Sequence, residues 1–132
     1  MGGQDIYLIK ALESLQGAES EFVNGRFDNA ANRAYYACFQ GAIAALQHEG
    51  IKPRRADGGW SHAFVQSAFA GQLIKRRKRY PAALKTTLPE NEDLRRRADY
   101  TLEMVSKKGA KRALDRARRF VGSVRSRIEE RI

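Results

Sequence analysis

The chain has 132 residues and three prolines, which suits one domain large enough to fold without metal or disulfide support. Its single cysteine, Cys38, excludes an internal disulfide and a thiolate metal centre; with no basic-then-apolar leader and no apolar run near ~18 residues, a cytoplasmic protein without a membrane span is expected. The net charge of +10 is lopsided: residues 1–50 hold three Lys/Arg against six Asp/Glu, and residues 51–132 hold 22 against nine, a positive field that suits a polyanion such as RNA or an acidic protein surface, or that is simply a solvated face.

Ile6, Ile9, Leu12, Leu15, Ala18 and Phe22 recur in steps of three and four, which predicts a first helix over Gln4–Val23 with those residues along one side. Asn24-Gly25 stops it, and Asp28 is the expected cap of a second helix reaching His48. There Ala31, Ala34, Tyr35, Cys38, Ala42, Ala45 and Leu46 form an apolar stripe that Phe39 and Ile43 widen. This helix is therefore expected at the centre, with alanines that let neighbours approach closely. Residues 50–59, with Pro53 and Gly58-Gly59, read as a polar loop. Ser61 is placed to cap a third helix carrying Phe64, Val65, Ala68, Phe69 and Leu73, which runs into the basic stretch 75–79. Pro81 suits the first position of a short helix, and Pro89 predicts a break before a fourth helix over residues 89–102. Ser106 caps the last helix, whose apolar face is Ala110, Ala113, Leu114, Ala117, Phe120, Val121, Val124 and Ile128. No repeat or linker divides the chain. The expected fold is all-α, a single domain over residues 1–132 forming an antiparallel helical bundle of four to five helices.

Three patterns follow one another: Asn32-Arg33-Ala34-Tyr35-Tyr36-Ala37-Cys38-Phe39, then Ser61-His62, then Arg95-Arg96-Arg97-Ala98-Asp99-Tyr100. With the tail from Val105-Ser106 through Ala117 and Phe120-Val121, they resemble the HEPN domain superfamily, in its branch of small stand-alone prokaryotic proteins, over roughly residues 5–125. The resemblance implies a four- or five-helix bundle, usually a homodimer, often paired with a minimal nucleotidyltransferase in a toxin–antitoxin-type module. Many HEPN proteins are metal-independent ribonucleases that use an arginine, then four to six intervening residues, then a histidine, paired across the dimer. Here Asp99 and Tyr100 stand where that histidine belongs. Arg55 and His62 make a formal match, but across the Gly58-Gly59 loop and not along one helix face. In some such modules the partner adenylates a tyrosine near the motif, a position to which Tyr100 corresponds.

Cleavage of RNA needs a base for the 2′-hydroxyl proton and a cation for the phosphorane. His62 or Asp99 would serve as base and Arg95 or Arg33 as cation, with Tyr100 beside them; alternatively, His62 packs at the start of its helix and Arg95 pairs with Asp99 one turn on. Asn32, Arg33, Tyr36, Arg95 and Arg96 would suit nucleotide or RNA binding, guanidinium groups on phosphate and a tyrosine ring under a base. Equally, Tyr35 and Tyr36 would be core aromatics closing a buried polar cluster with Arg33 and Asp99. Lys75, Arg76 and Arg77, and the cations of the last helix from Lys107 to Arg119, are further electrostatic candidates. With two histidines, no Walker loop, no dinucleotide fingerprint and no histidine–glutamate zinc motif, neither a metal site nor a cofactor is expected. Three readings stand: a HEPN module binding nucleotide or RNA beside a nucleotidyltransferase, a divergent endoribonuclease, and a non-catalytic helical assembly partner.

Overall fold

The computed structural model describes residues 4–53 and 58–130, and among these there is no strand. The helices are α1 (Gln4–Val23), α2 (Phe27–His48), α3 (His62–Ala68), α4 (Thr87–Tyr100) and α5 (Lys107–Glu129). Thirteen of the 22 residues of α2 are buried, more than one stripe of an amphipathic helix supplies, so this helix must be wrapped by others. It is packed by α1, α4 and α5.

Pairs across the seams give the directions. Ser14 meets Gln40 and Gly17 lies against Arg33, so α1 runs antiparallel to α2. Asn91 reaches Cys38 while Asp99 meets Asn32, so α4 is antiparallel to α2 as well. Ala110 clusters with Ala31 and Val121 touches Gly41, which makes α5 parallel to α2. The alanine-rich surface is what permits this closeness: a Cβ on Gly41 would lie only 3.6 Å from Val121 and 3.8 Å from Ala11. Asn91 joins three helices, its amide donating to the Ala113 carbonyl at 3.2 Å and contacting Cys38 Sγ at 3.7 Å, while its Oδ1 accepts from Arg116 Nε at 2.7 Å.

Several expected boundaries are corrected. On α1 the buried row is Leu8, Ala11, Ser14 and Ala18, with Leu12, Leu15 and Phe22 at its flank; Ile6 and Ile9 are more than half exposed. The small side chains at 11, 14 and 18 face α2, and this close packing sets the rotation of the helix. Asp28 does not cap α2, which starts at Phe27 after an uncapped Arg26. Its carboxylate instead accepts the Val105 N–H at 2.8 Å, tying the entry to α5 onto α2. Ser61 and Ser106 do cap their helices, accepting from Phe64 N at 3.1 Å and Gly109 N at 2.9 Å.

The third helix is α-helical only to Ala68 and continues as a π-helix through Phe69–Arg76. Pro81 precedes the 3-10 turn Ala82–Thr86 as its cap, one position earlier than expected. Pro89 breaks nothing, because α4 begins at Thr87 and places it in the first turn, where a backbone N–H has no helical partner to lose. The same helix ends at Tyr100, two residues short of the expected limit, with Thr101 turning its hydroxyl back to the Arg97 carbonyl. Residues 54–57, which include Arg55 of the formal Arg–His match, lie outside the described residues.

Candidate functional site

The spacing of Asn32, Tyr35, Tyr36 and Phe39 puts all four on one side of α2, where α3 and α4 meet it. From α4 come Glu92, Arg95 and Asp99, and from α3 His62 and Gln66, each set one turn apart. The result is a polar cluster backed by aromatic rings.

Arg95 is its centre. The residue is only 8% exposed, a costly place for a guanidinium unless partners compensate. Its Nη1 donates to Asp99 Oδ2 at 3.1 Å, and its Cζ lies 5.1 Å from the Tyr35 ring centroid and 5.6 Å from that of Tyr36. Burial opposes the charge, but Tyr36, a hydrogen bond to the Tyr100 side chain and Asp99 outweigh it and raise the Arg95 pKa above the ordinary arginine value. Its Nε is buried with no hydrogen-bond partner among the described residues, one donor left over. Asn32 donates to the same Asp99 oxygen at 3.2 Å, and Arg33 sits over the outer side of Tyr36 at 5.3 Å.

His62 closes the opposite wall. Its ring stacks on Phe39 at 4.4 Å and on Tyr35 at 5.5 Å, and its Nδ1 shares a 2.5 Å hydrogen bond with the Tyr35 hydroxyl. Burial lowers the His62 pKa, Glu92 at 3.8 Å partly offsets this, and Arg95 lowers it further, so the imidazole is neutral at pH 7. Burial also pushes the Tyr35 hydroxyl well above its usual value and keeps it protonated. Gln66 fixes Glu92 in place, donating to Oε1 at 2.8 Å. A cation, a neutral imidazole and two carboxylates thus face one aromatic floor.

Of the residues singled out from sequence, the structure gathers Asn32, Arg33, Tyr36, His62, Arg95, Asp99 and Tyr100 into this cluster, with Tyr100 on its outside and 76% exposed. Arg96 is exposed on α4. Lys75, Arg76 and Arg77 are not brought to the cluster: Arg77 donates to the Glu49 carbonyl just past the end of α2, about 25 Å along that helix from Asn32. They line a separate groove of about 920 Å³ with Lys52. Sequence reasoning missed Gln66 and Glu92. Both were within reach, Gln66 one turn after His62 and Glu92 one turn before Arg95 and Arg96, each inside a helix expected from the sequence.

The fold and cluster together define an all-α antiparallel bundle built around one aromatic central helix and an arginine-bearing fourth helix. The profile of the HEPN domain family matches residues 5–127, and the chain belongs to that family. It is also similar to the Methanocaldococcus jannaschii protein named "Putative toxin MJ0605", with 26% identity over 123 residues, covering 91% of this chain and 84% of the relative. Among the described residues no helix is long and apolar enough to cross a membrane, and no three His, Cys, Asp or Glu side chains are grouped to hold a metal.

Proposed function

We propose that this HEPN protein is the toxin-type member of a two-protein module and that its α2–α3–α4 pocket binds a nucleotide or a short stretch of RNA. The observation that carries the reading is Arg95, a nearly buried guanidinium held charged over two tyrosine rings with its Nε unpartnered. A phosphate oxygen is an acceptor for that N–H, and Arg33 over the Tyr36 ring adds a second cation beside it. The toxin name of the Methanocaldococcus jannaschii relative supports the module. A homodimer and a minimal nucleotidyltransferase partner belong to the same proposal, and the exposed hydroxyl of Tyr100 at the end of α4 is the group such a partner would adenylate.

A second reading, metal-independent endoribonuclease, is favoured by the position of His62. In the tautomer whose Nδ1–H donates to the Tyr35 oxygen, the neutral imidazole presents a free lone pair on Nε2, the form of a general base. His62 would take the 2′-hydroxyl proton, Arg95 would stabilise the phosphorane, and water would protonate the departing 5′-oxygen. The histidine absent from α4 is replaced in this reading by one from α3.

Both readings are tested with a fluorescein-labelled 20-nucleotide uridine RNA in chelator, followed by anisotropy and by gel. Arg95→Ala is expected to weaken binding about tenfold or more, the worth of one charge-assisted hydrogen bond. Equal binding by wild type and variant contradicts the pocket. Chelator-resistant cleavage lost in both Arg95→Ala and His62→Ala would select the enzyme; binding without cleavage would select the binding module.

A further inference from the structure

The pocket at Arg95 uses little of the positive charge carried by residues 51–132, and the structure shows where part of the rest gathers. A groove of about 750 Å³ runs between the 3-10 turn and the C-terminal half of α5, and it shares no lining residue with the Arg95 pocket. Arg79, Arg116, Arg118, Arg119 and Arg127 line it, against Glu90 and Glu130. Arg116 to Arg127 spans about 16 Å of α5, so the charge forms a strip and not a point.

Two features show that the strip is built and not only solvated. Arg116 is aimed from the core: the fully buried Asn91 has its amide engaged by Ala113 and Cys38, so its Oδ1 holds Arg116 Nε at 2.7 Å and leaves the two terminal nitrogens for the groove. Tyr80 lines the same groove, is 5% exposed, and keeps a buried hydroxyl with no hydrogen-bond partner among the described residues. An unpaired buried hydroxyl is costly, and an entering acceptor would satisfy it. Ser123 and Ser126 add hydroxyls along the wall.

We propose that this groove is a second polyanion site, distinct from the Arg95 pocket, and that its occupant is the phosphodiester backbone of single-stranded RNA. The chemistry of the wall favours RNA over an acidic peptide. Guanidinium groups only donate, and a phosphodiester chain presents anionic acceptor oxygens at every step along such a strip, whereas a peptide carries an anionic group only where an acidic side chain falls. A strip of cations with no base-reading edge also predicts sequence-tolerant, strongly salt-dependent binding.

The test uses the full chain and the labelled 20-nucleotide uridine RNA, with binding constants measured across a salt series. The double variant Arg119→Ala/Arg127→Ala avoids the Asn91 link, and circular dichroism checks its fold. Its plot of log K against log salt is expected to be shallower than wild type by about 1.4, two phosphate contacts at ~0.7 each for a single strand. Tyr80→Phe is expected to weaken binding about threefold without changing the slope, as loss of a neutral hydrogen bond should. A folded double variant with the wild-type slope overturns the proposal. So does tighter binding of poly-glutamate than of RNA, with loss in the same variants, which would assign the groove to an acidic protein surface. Arg95→Ala separates the two sites: if it binds normally while the groove variants do not, the pocket reading fails and the groove stands.

Discussion

Arg95 and His62 have opposite relations to their surroundings. The guanidinium keeps its charge because Tyr36, Tyr100 and Asp99 outweigh burial, while burial and Arg95 together keep the imidazole neutral. The folded state therefore binds a proton at His62 less readily than the unfolded chain does. Its contribution to stability is complete above the unfolded value of 6.5 and is lost as pH falls through the lower folded value. An NMR titration of the His62 ring should show a midpoint below 6.5, lowered further by Glu92→Gln and raised by Arg95→Ala, since those groups act in opposite senses on it. A midpoint above 6.5 would mean that the ring is not enclosed as described. The Arg95–Asp99 pair was legible in the sequence because it lies within one helix at a spacing of four. The Tyr35–His62 bond was not: it joins residues 27 positions apart, and no periodicity reports a contact made by packing one helix against another.

Four of the helices were legible because each carries a stripe of apolar side chains at helical spacing, and two of these carry serine caps that do cap; α4 carries no such stripe and was placed from Pro89. What escaped were the places where a local rule met a tertiary one. Pro89 reads as a breaker, yet in the first turn of α4 it costs nothing. Asp28 reads as a cap, yet its carboxylate is worth more on the Val105 N–H across the fold. The π-helix over Phe69–Arg76 follows the same apolar residues as an α-helix would and leaves no mark in the pattern. Asn91 is the polar residue on which the helix seams most depend. Asn91→Ala should lower stability by about 1–3 kcal/mol, read as a shift in the urea midpoint with an unchanged slope; an unchanged midpoint would show that the link between α2, α4 and α5 is dispensable. Ser106→Ala should cost about 1 kcal/mol through the lost cap of α5, measured the same way.

Taken as one body, the protein separates its buried arginine from most of its surface charge along the bundle. The wrapped α2 supplies an aromatic floor near its start, and α4 lays Arg95 across it. The excess of positive charge lies elsewhere, on α5 and around the π-helical segment. Charge alone could be read from the sequence, but its division into separate grooves could not, because Arg79 and Arg127 converge only after folding. This division predicts that long RNA engages both the pocket and the arginine strip, while a mononucleotide engages the pocket alone. The most direct test of the central claim is amide chemical-shift mapping of the isotope-labelled protein titrated with uridine dinucleotide, which is too short to cover the strip. The account predicts perturbations concentrated at Asn32, Tyr36, Arg95 and Asp99, absent in Arg95→Ala; shifts confined to α5, with those four residues unmoved, would contradict it.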